Sequence, residues 1–212
     1  MEVQQLGLPV TGFSFAKLDE DVIKFLWRMI ENARSEKIDY KKNIVSNISE
    51  SYLLNDENNI LLNSVCIPLA KEYLKRNNGK LPVFSYASVL KPEPKLVLKE
   101  LWVNFQYKSE FTPYHKHNGV FSFAIWMKIP YEFKKQCELP QFKGTTEENM
   151  RAGCFEFEYL DTIGSVRNFK YPLSPEMEGK MVFFPASLRH CVYPFFGTDE
   201  PRISIAGNLL LA

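Results

Sequence analysis

The chain has 212 residues, 45% of them hydrophobic, and 26 Lys and Arg against 25 Asp and Glu give a net charge of +1. That apolar content allows a packed core and excludes a disordered chain. The even charge balance argues against nucleic-acid binding through bulk charge and against a polybasic membrane anchor.

In chain order, a short strand is expected around 13–16. Val22, Phe25, Leu26, Met29 and Ile30 then follow the spacing of an amphipathic helix, with Asp19 placed to cap it. The stretch NIVSNISESYLL, 43–54, reads as a loop with a short strand. A second helix is signalled by Leu62, Val65, Cys66, Leu69, Ala70, Tyr73 and Leu74, started by Asn55 or Asp56 and ended by NNG at 77–79. Pro68 inside that pattern predicts a kink or a split, since proline cannot donate to the helix ladder.

From about residue 95 the chain turns to short β-branched and aromatic runs. Strands are expected near 96–107, 111–117, 120–129, 153–160, 179–185, 189–194 and 201–210. The polar segment 131–152 is long for a connection, and loops of that length tend to be functional or mobile. Helices followed by many strands predict an α+β fold, a sandwich or barrel of strands with helices on one face. The expected organisation is a single domain over 1–212, with 1–95 as mainly helical support and 96–212 as the strand-rich core. No basic, apolar leader opens the sequence and no apolar run approaches the ~20 residues of a membrane helix, so the expected location is cytoplasmic. Cys66, Cys137, Cys154 and Cys191 form no CxxC pair and are expected as reduced thiols.

The chain has three histidines, two of them in TPYHKHNG (112–119) and the third in SLRHCVYPF (187–195). On a strand, residues two apart point the same way, so His115 and His117 would project together as a two-ligand clamp. His190 from a distant strand would complete one face of a metal's coordination sphere, leaving other positions open for substrate, oxygen or water. Cys191 should point to the opposite strand face and is not counted as a ligand. Arg202 and Ser204 follow one turn after His190 and share a strand face. An arginine fork receives a carboxylate through parallel charge-assisted hydrogen bonds, and a nearby hydroxyl adds another. The pattern suggests a dicarboxylate with one end on Arg202 and the other on the metal. Trp102 and Asn104 share a face of the preceding strand and could line the cavity. Phe121, Phe123, Phe183 and Phe184 are expected in the core.

The segments LWVNFQYKSEFTPYHKHNGVFSFAIWMKIPY and GKMVFFPASLRHCVYPFFGTDEPRISIAGN resemble the Fe(II)/2-oxoglutarate-dependent dioxygenases, and within them the 2OG-Fe(II) oxygenases of marine tailed phages. The resemblance covers roughly 96–210. It implies a double-stranded β-helix (jelly roll, cupin-like) with the N-terminal helices packed on one sheet. It also implies Fe(II), O2 and 2-oxoglutarate as co-substrate, with release of succinate and CO2. By that pattern His115 takes the first ligand position and His190 the last, and Arg202, assisted by Ser204, holds the distal carboxylate. Tyr107 and Asn104 join the co-substrate site, and a peptide (prolyl-type) or small molecule is hydroxylated. The family's usual motif is His-x-Asp or His-x-Glu; here His117 stands in the acidic position. One reading makes His117 a third neutral ligand. A second puts His117 first and Gly119 in the carboxylate slot, as in related halogenases, and a third leaves His117 beside the ligands. Segment 131–152 is expected to close over the substrate. Two other classes stay open: a three-histidine zinc hydrolase or lyase, and a non-catalytic cupin-like binding protein.

Overall fold

The computed structural model describes residues 12–76 and 95–212. The helix-ending signal at 77–79 lies outside them.

The chain begins with strand β1 (Ser14–Lys17) and helix α1 (Glu20–Glu36). Asp19 sits at the N-cap with an extended backbone, but its side chain makes no capping hydrogen bond; Glu20 and Asp21 supply the negative charge that the helix start favours. Strand β2 (Glu50–Leu53) is the short strand expected in 43–54. Asp56 then starts the second helical segment, its two carboxylate oxygens accepting from the backbone N–H of Leu61 (2.8 Å) and Leu62 (2.9 Å). Pro68 is accommodated by a change of helix type. A π-helical turn over Leu62–Cys66 runs directly into α2 (Ile67–Arg76), and the wider turn just before the proline is the kind of local adjustment that takes up its ring and missing N–H.

The strand-rich part comprises β3 (Leu96–Gln106), β4 (Thr112–His115), β5 (Phe121–Lys128), helix α3 (Phe133–Cys137), β6 (Cys154–Leu160), β7 (Val166–Pro172), β8 (Lys180–Pro185), β9 (Arg189–Val192) and β10 (Arg202–Leu211). Among the described residues, these strands with β1 and β2 form two antiparallel sheets, one of six strands in the order β1-β8-β5-β10-β3-β2 and one of four in the order β4-β9-β6-β7. Strands from before residue 95 therefore edge the larger sheet on both sides. Strand β7 has no counterpart among the expected strands. It edges the smaller sheet, and most of its residues are exposed, so it lacks the buried apolar alternation that marks a strand in sequence.

Residue parity assigns each side chain of the larger sheet to a layer. Leu101, Val103 and Phe105 of β3, Phe121 and Phe123 of β5, and Met181 and Phe183 of β8 pack with Leu26, Met29, Ile30 and Ala33 of α1 and with Ala70 and Tyr73 of α2. The other face carries Trp126, Val182 and Phe184, which meet Phe155 and Phe157 of the smaller sheet. The helices thus cover the outside of one sheet, and the space between the sheets is shared by an aromatic core and a polar cavity. Among the described residues, no helix is long and apolar enough to cross a membrane.

Candidate active site

The cavity between the sheets is about 220 Å³. Its floor is a ladder of residues from β3 and β10, with Asn104 paired to Ser204, Trp102 to Ala206 and Glu100 to Asn208, and with Arg202 at the end where its register partner Gln106 lies just outside the cavity lining. These are all even positions, the face opposite the helix-packed residues. His115 of β4 and His190 of β9 are direct register partners on the smaller sheet.

The three histidines converge. Their candidate ligand nitrogens lie within 4.8 Å of one another, and the ring centroids are 4.2 to 5.1 Å apart. The expected strand 111–117 is shorter than its sequence suggested, ending at His115 after a register irregularity. His117 lies beyond it and is held by its backbone N–H donating to the Ala186 carbonyl at 2.8 Å. Convergence thus comes from a bent chain tied to the turn between β8 and β9, not from strand alternation.

The rings are also oriented. Nδ1 of His115 faces the Pro113 carbonyl at 2.8 Å, and Nδ1 of His190 faces the Leu188 carbonyl at 2.9 Å. When Nδ1 donates to those oxygens, Nε2 is left as the lone-pair donor of each ring. Burial lowers the pKa of all three, bringing His117 to about 4, with the neighbouring His115 adding repulsion. His190 is 4% exposed and packs against Phe155 and Phe184. Near neutral pH the cluster is three neutral imidazoles, a donor set suited to a divalent transition metal.

The smaller sheet is braced from behind. On its outer face Glu156, 2% exposed, accepts from the Tyr114 hydroxyl, from the Tyr193 hydroxyl at 3.1 Å, and pairs with Arg151 at 2.7 Å. Cys191 lies in register with Glu156, on the face opposite His190, and all four cysteines are free thiols.

Arg202 is 1% exposed. Its guanidinium donates to the Tyr131 hydroxyl, to Gln106 Oε1, and to the Tyr193 carbonyl at 3.4 Å. All three acceptors are neutral, and among the described residues no carboxylate lies within ion-pair distance of it. A buried charge is normally paired, so this guanidinium has the chemistry to receive an anion. Ser204 and Asn104 face the same cavity. Asn104 Oδ1 and Trp102 Nε1 are buried without hydrogen-bond partners among the described residues, as expected of groups that meet a ligand.

Tyr107 is not brought to this site. Its hydroxyl donates to Glu50 at 3.0 Å, and its ring packs on the helix side with the main core. The reason is parity, since an odd residue following β3 faces away from Asn104 and Gln106. The tyrosine beside Arg202 is Tyr131, reached from after β5, and the neutral partner on β3 is Gln106. Sequence reasoning missed both, although Gln106 continues the even-numbered face that Trp102 and Asn104 already marked. Segment 131–152 does not line the cavity either. It contains α3, and Lys170 of β7 holds it by donating to the carbonyls of Glu147 and Glu148. The wall at the mouth comes instead from 40–46, tied to the chain before β4 by paired backbone bonds between Asn47 and Phe111.

Two facing antiparallel sheets with a cavity between them and helices on one outer face define a double-stranded β-helix. The 2OG-Fe(II) oxygenase family model matches residues 100–208, just over half of the chain, and the chain belongs to that family. It is a 2-oxoglutarate-dependent oxygenase. A prolyl-4-hydroxylase from Pseudomonas putida is similar in fold, with a TM-score of 0.51 at 13% identity over 94% of this chain and 92% of that one. A viral collagen prolyl hydroxylase from Paramecium bursaria Chlorella virus-1 aligns over 93% of this chain and 94% of that one, at 12% identity and a TM-score of 0.49. No curated protein matches the chain in sequence.

Proposed function

We propose that His115, His117 and His190 ligate Fe(II), and that Arg202, with Ser204 and Asn104 beside it, receives the distal carboxylate of 2-oxoglutarate. On this reading the chain hydroxylates a peptide or small molecule, consuming O2 and releasing succinate and CO2. The observation that carries the reading is the buried Arg202 with only neutral partners, in the same cavity as three neutral, converging imidazoles. A three-histidine zinc hydrolase would use the imidazoles but would leave this unpaired guanidinium without a role.

The residues fit the implied cofactors. Burial keeps the imidazoles deprotonated, so their lone pairs are free for a metal without competition from protons near neutral pH. The carbonyls of Pro113 and Leu188 fix two of the rings. A histidine in place of the usual carboxylate makes the ligand set neutral, so the negative charge at the centre comes from the co-substrate. Iron and 2-oxoglutarate, when bound, supply the activation of O2. The protein's part is to orient and to exclude water. Arg202 fixes one end of the co-substrate, and Phe155, Phe184 and Trp126 keep the space around His190 apolar.

The test is an anaerobic titration of the metal-free protein with Fe(II) and then 2-oxoglutarate. The expected result is a weak visible charge-transfer band from the iron-bound 2-oxo acid, weakened in Arg202→Ala. Tight zinc binding with no such band would instead favour the hydrolase.

A further inference from the structure

The cavity floor has two charged poles. Arg202 lies at one end of the β3–β10 ladder, paired with Gln106, and Glu100 lies at the other, paired with Asn208. At about 3.3 Å per residue, the six steps along the strand from Arg202 to Asn208 span roughly 20 Å. The histidines fall between the poles. The His117 ring lies 5.9 Å from that of Trp102, which is four residues along the ladder from the Arg202 end and two from Glu100. A five-carbon dicarboxylate extends no more than about 6 Å, from four bonds of roughly 1.5 Å. With one end on Arg202 and the other at the histidines, it cannot occupy the Glu100 end.

Glu100 is built into that end. Its Oε2 accepts from Asn208 Nδ2, and Asn208 Oδ1 accepts from Ser122 Oγ at 2.7 Å. Asn208 is 3% exposed and Ser122 is 1% exposed. This buried relay holds one carboxylate oxygen and leaves Oε1 without a protein partner among the described residues. No cation there lies within ion-pair distance of Glu100. Lys116, exposed at the rim, makes no ion pair among the described residues, and Lys99 lies on the opposite strand face. Trp102, whose buried indole N–H has no hydrogen-bond partner among the described residues, is the next cavity-facing residue of β3 after Glu100.

We propose that Glu100 anchors a cationic group, an amine or guanidinium, on the primary substrate, with the reacting carbon one ladder step away at the histidines. The inference rests on the oxygenase reading above, because that reading assigns the Arg202 end to the co-substrate. Charge then sorts the two ligands, the dicarboxylate going to the arginine end and the cationic substrate to the glutamate end.

The experiment loads the full chain anaerobically with Fe(II) and 2-oxoglutarate and titrates it, at low salt, with three N-acetyl amino-acid amides: arginine, glutamine and glutamate. Binding is read by calorimetry and by tryptophan fluorescence. The arginine probe should bind at least tenfold more tightly than the glutamine probe, and the glutamate probe more weakly than either. Glu100→Gln keeps the acceptor for Asn208 and should erase the preference while 2-oxoglutarate still binds. Normal 2-oxoglutarate binding overturns this inference alone if the three probes bind equally, if the arginine probe shows no saturable binding, or if the preference persists in Glu100→Gln. Failure of 2-oxoglutarate to bind the wild-type protein overturns the oxygenase site assignment and this inference with it.

Discussion

Replacing Gln106 by Glu changes one atom of a buried contact and should disable the proposed co-substrate site without unfolding the protein. Gln106 Oε1 accepts from Arg202 Nη2 at 2.5 Å, and its own Nε2 donates to the Glu110 carbonyl. The substitution keeps the acceptor and adds a negative charge. A ligand carboxylate on the remaining donors of the guanidinium would lie about 5 Å from that charge, and at an effective dielectric of 20 the repulsion is about 3 kcal/mol. Such a penalty weakens binding by roughly two orders of magnitude. The new carboxylate also gives Arg202 the partner it lacks, while its second oxygen faces the Glu110 and Tyr193 carbonyls to which Nε2 donated, so the two effects on folding stability oppose each other. The assay is anaerobic calorimetry of 2-oxoglutarate binding to the Fe(II)-loaded protein, with urea unfolding alongside. Affinity within threefold of wild type, in a variant that folds normally, would refute the claim that Arg202 is kept free of acids in order to receive one.

Two further outcomes follow from the same structure. In the metal-free protein the histidine pKa values lie below their unfolded value of about 6.5, so the unfolded chain takes up protons first and stability falls as pH drops from 6.5. His117 stops contributing near pH 4, and after discounting for its partial exposure its share is about 2 kcal/mol. Urea midpoints at pH 7 and pH 5 measure this, and equal midpoints would contradict it. Gly207→Ala places a Cβ 2.6 Å from the Phe123 ring and 2.9 Å from the backbone oxygen of Glu100. The ring can turn but the strand cannot, so a loss of about 2–3 kcal/mol is expected in chemical denaturation, and a loss below about 0.5 kcal/mol would show that the strands separate easily.

Much of this molecule was legible from local pattern. The helix at Val22–Ile30 announced itself by spacing, because its apolar stripe is contiguous and its core contacts lie on one face. The confinement of three histidines to two short segments, with Arg202 and Ser204 shortly after, marked the residues that now line one cavity. They stood out because histidine is scarce in this chain and an arginine two residues from a serine on one strand face is a distinctive local pattern. Strand β7 was missed because an exposed edge strand has no burial to impose alternation, and Pro68 was ambiguous because a π-turn leaves no composition signal.

What tertiary structure decided was which neutral groups surround the charged ones. Tyr107 lies next to Gln106 in the chain, but strand parity sends it to the helix layer, where it meets Glu50. Tyr131, more than seventy residues from Arg202 in sequence, is the tyrosine that reaches the guanidinium. Glu100 and Asn208 become partners only through the pairing of β3 with β10. The sequence by itself determined the chemical inventory and the local periodicity, which depend on residue type and near neighbours. Pairing between distant strands, and the absence of any described acid beside Arg202, depend on register across the whole sandwich, and no local window of sequence contains that information.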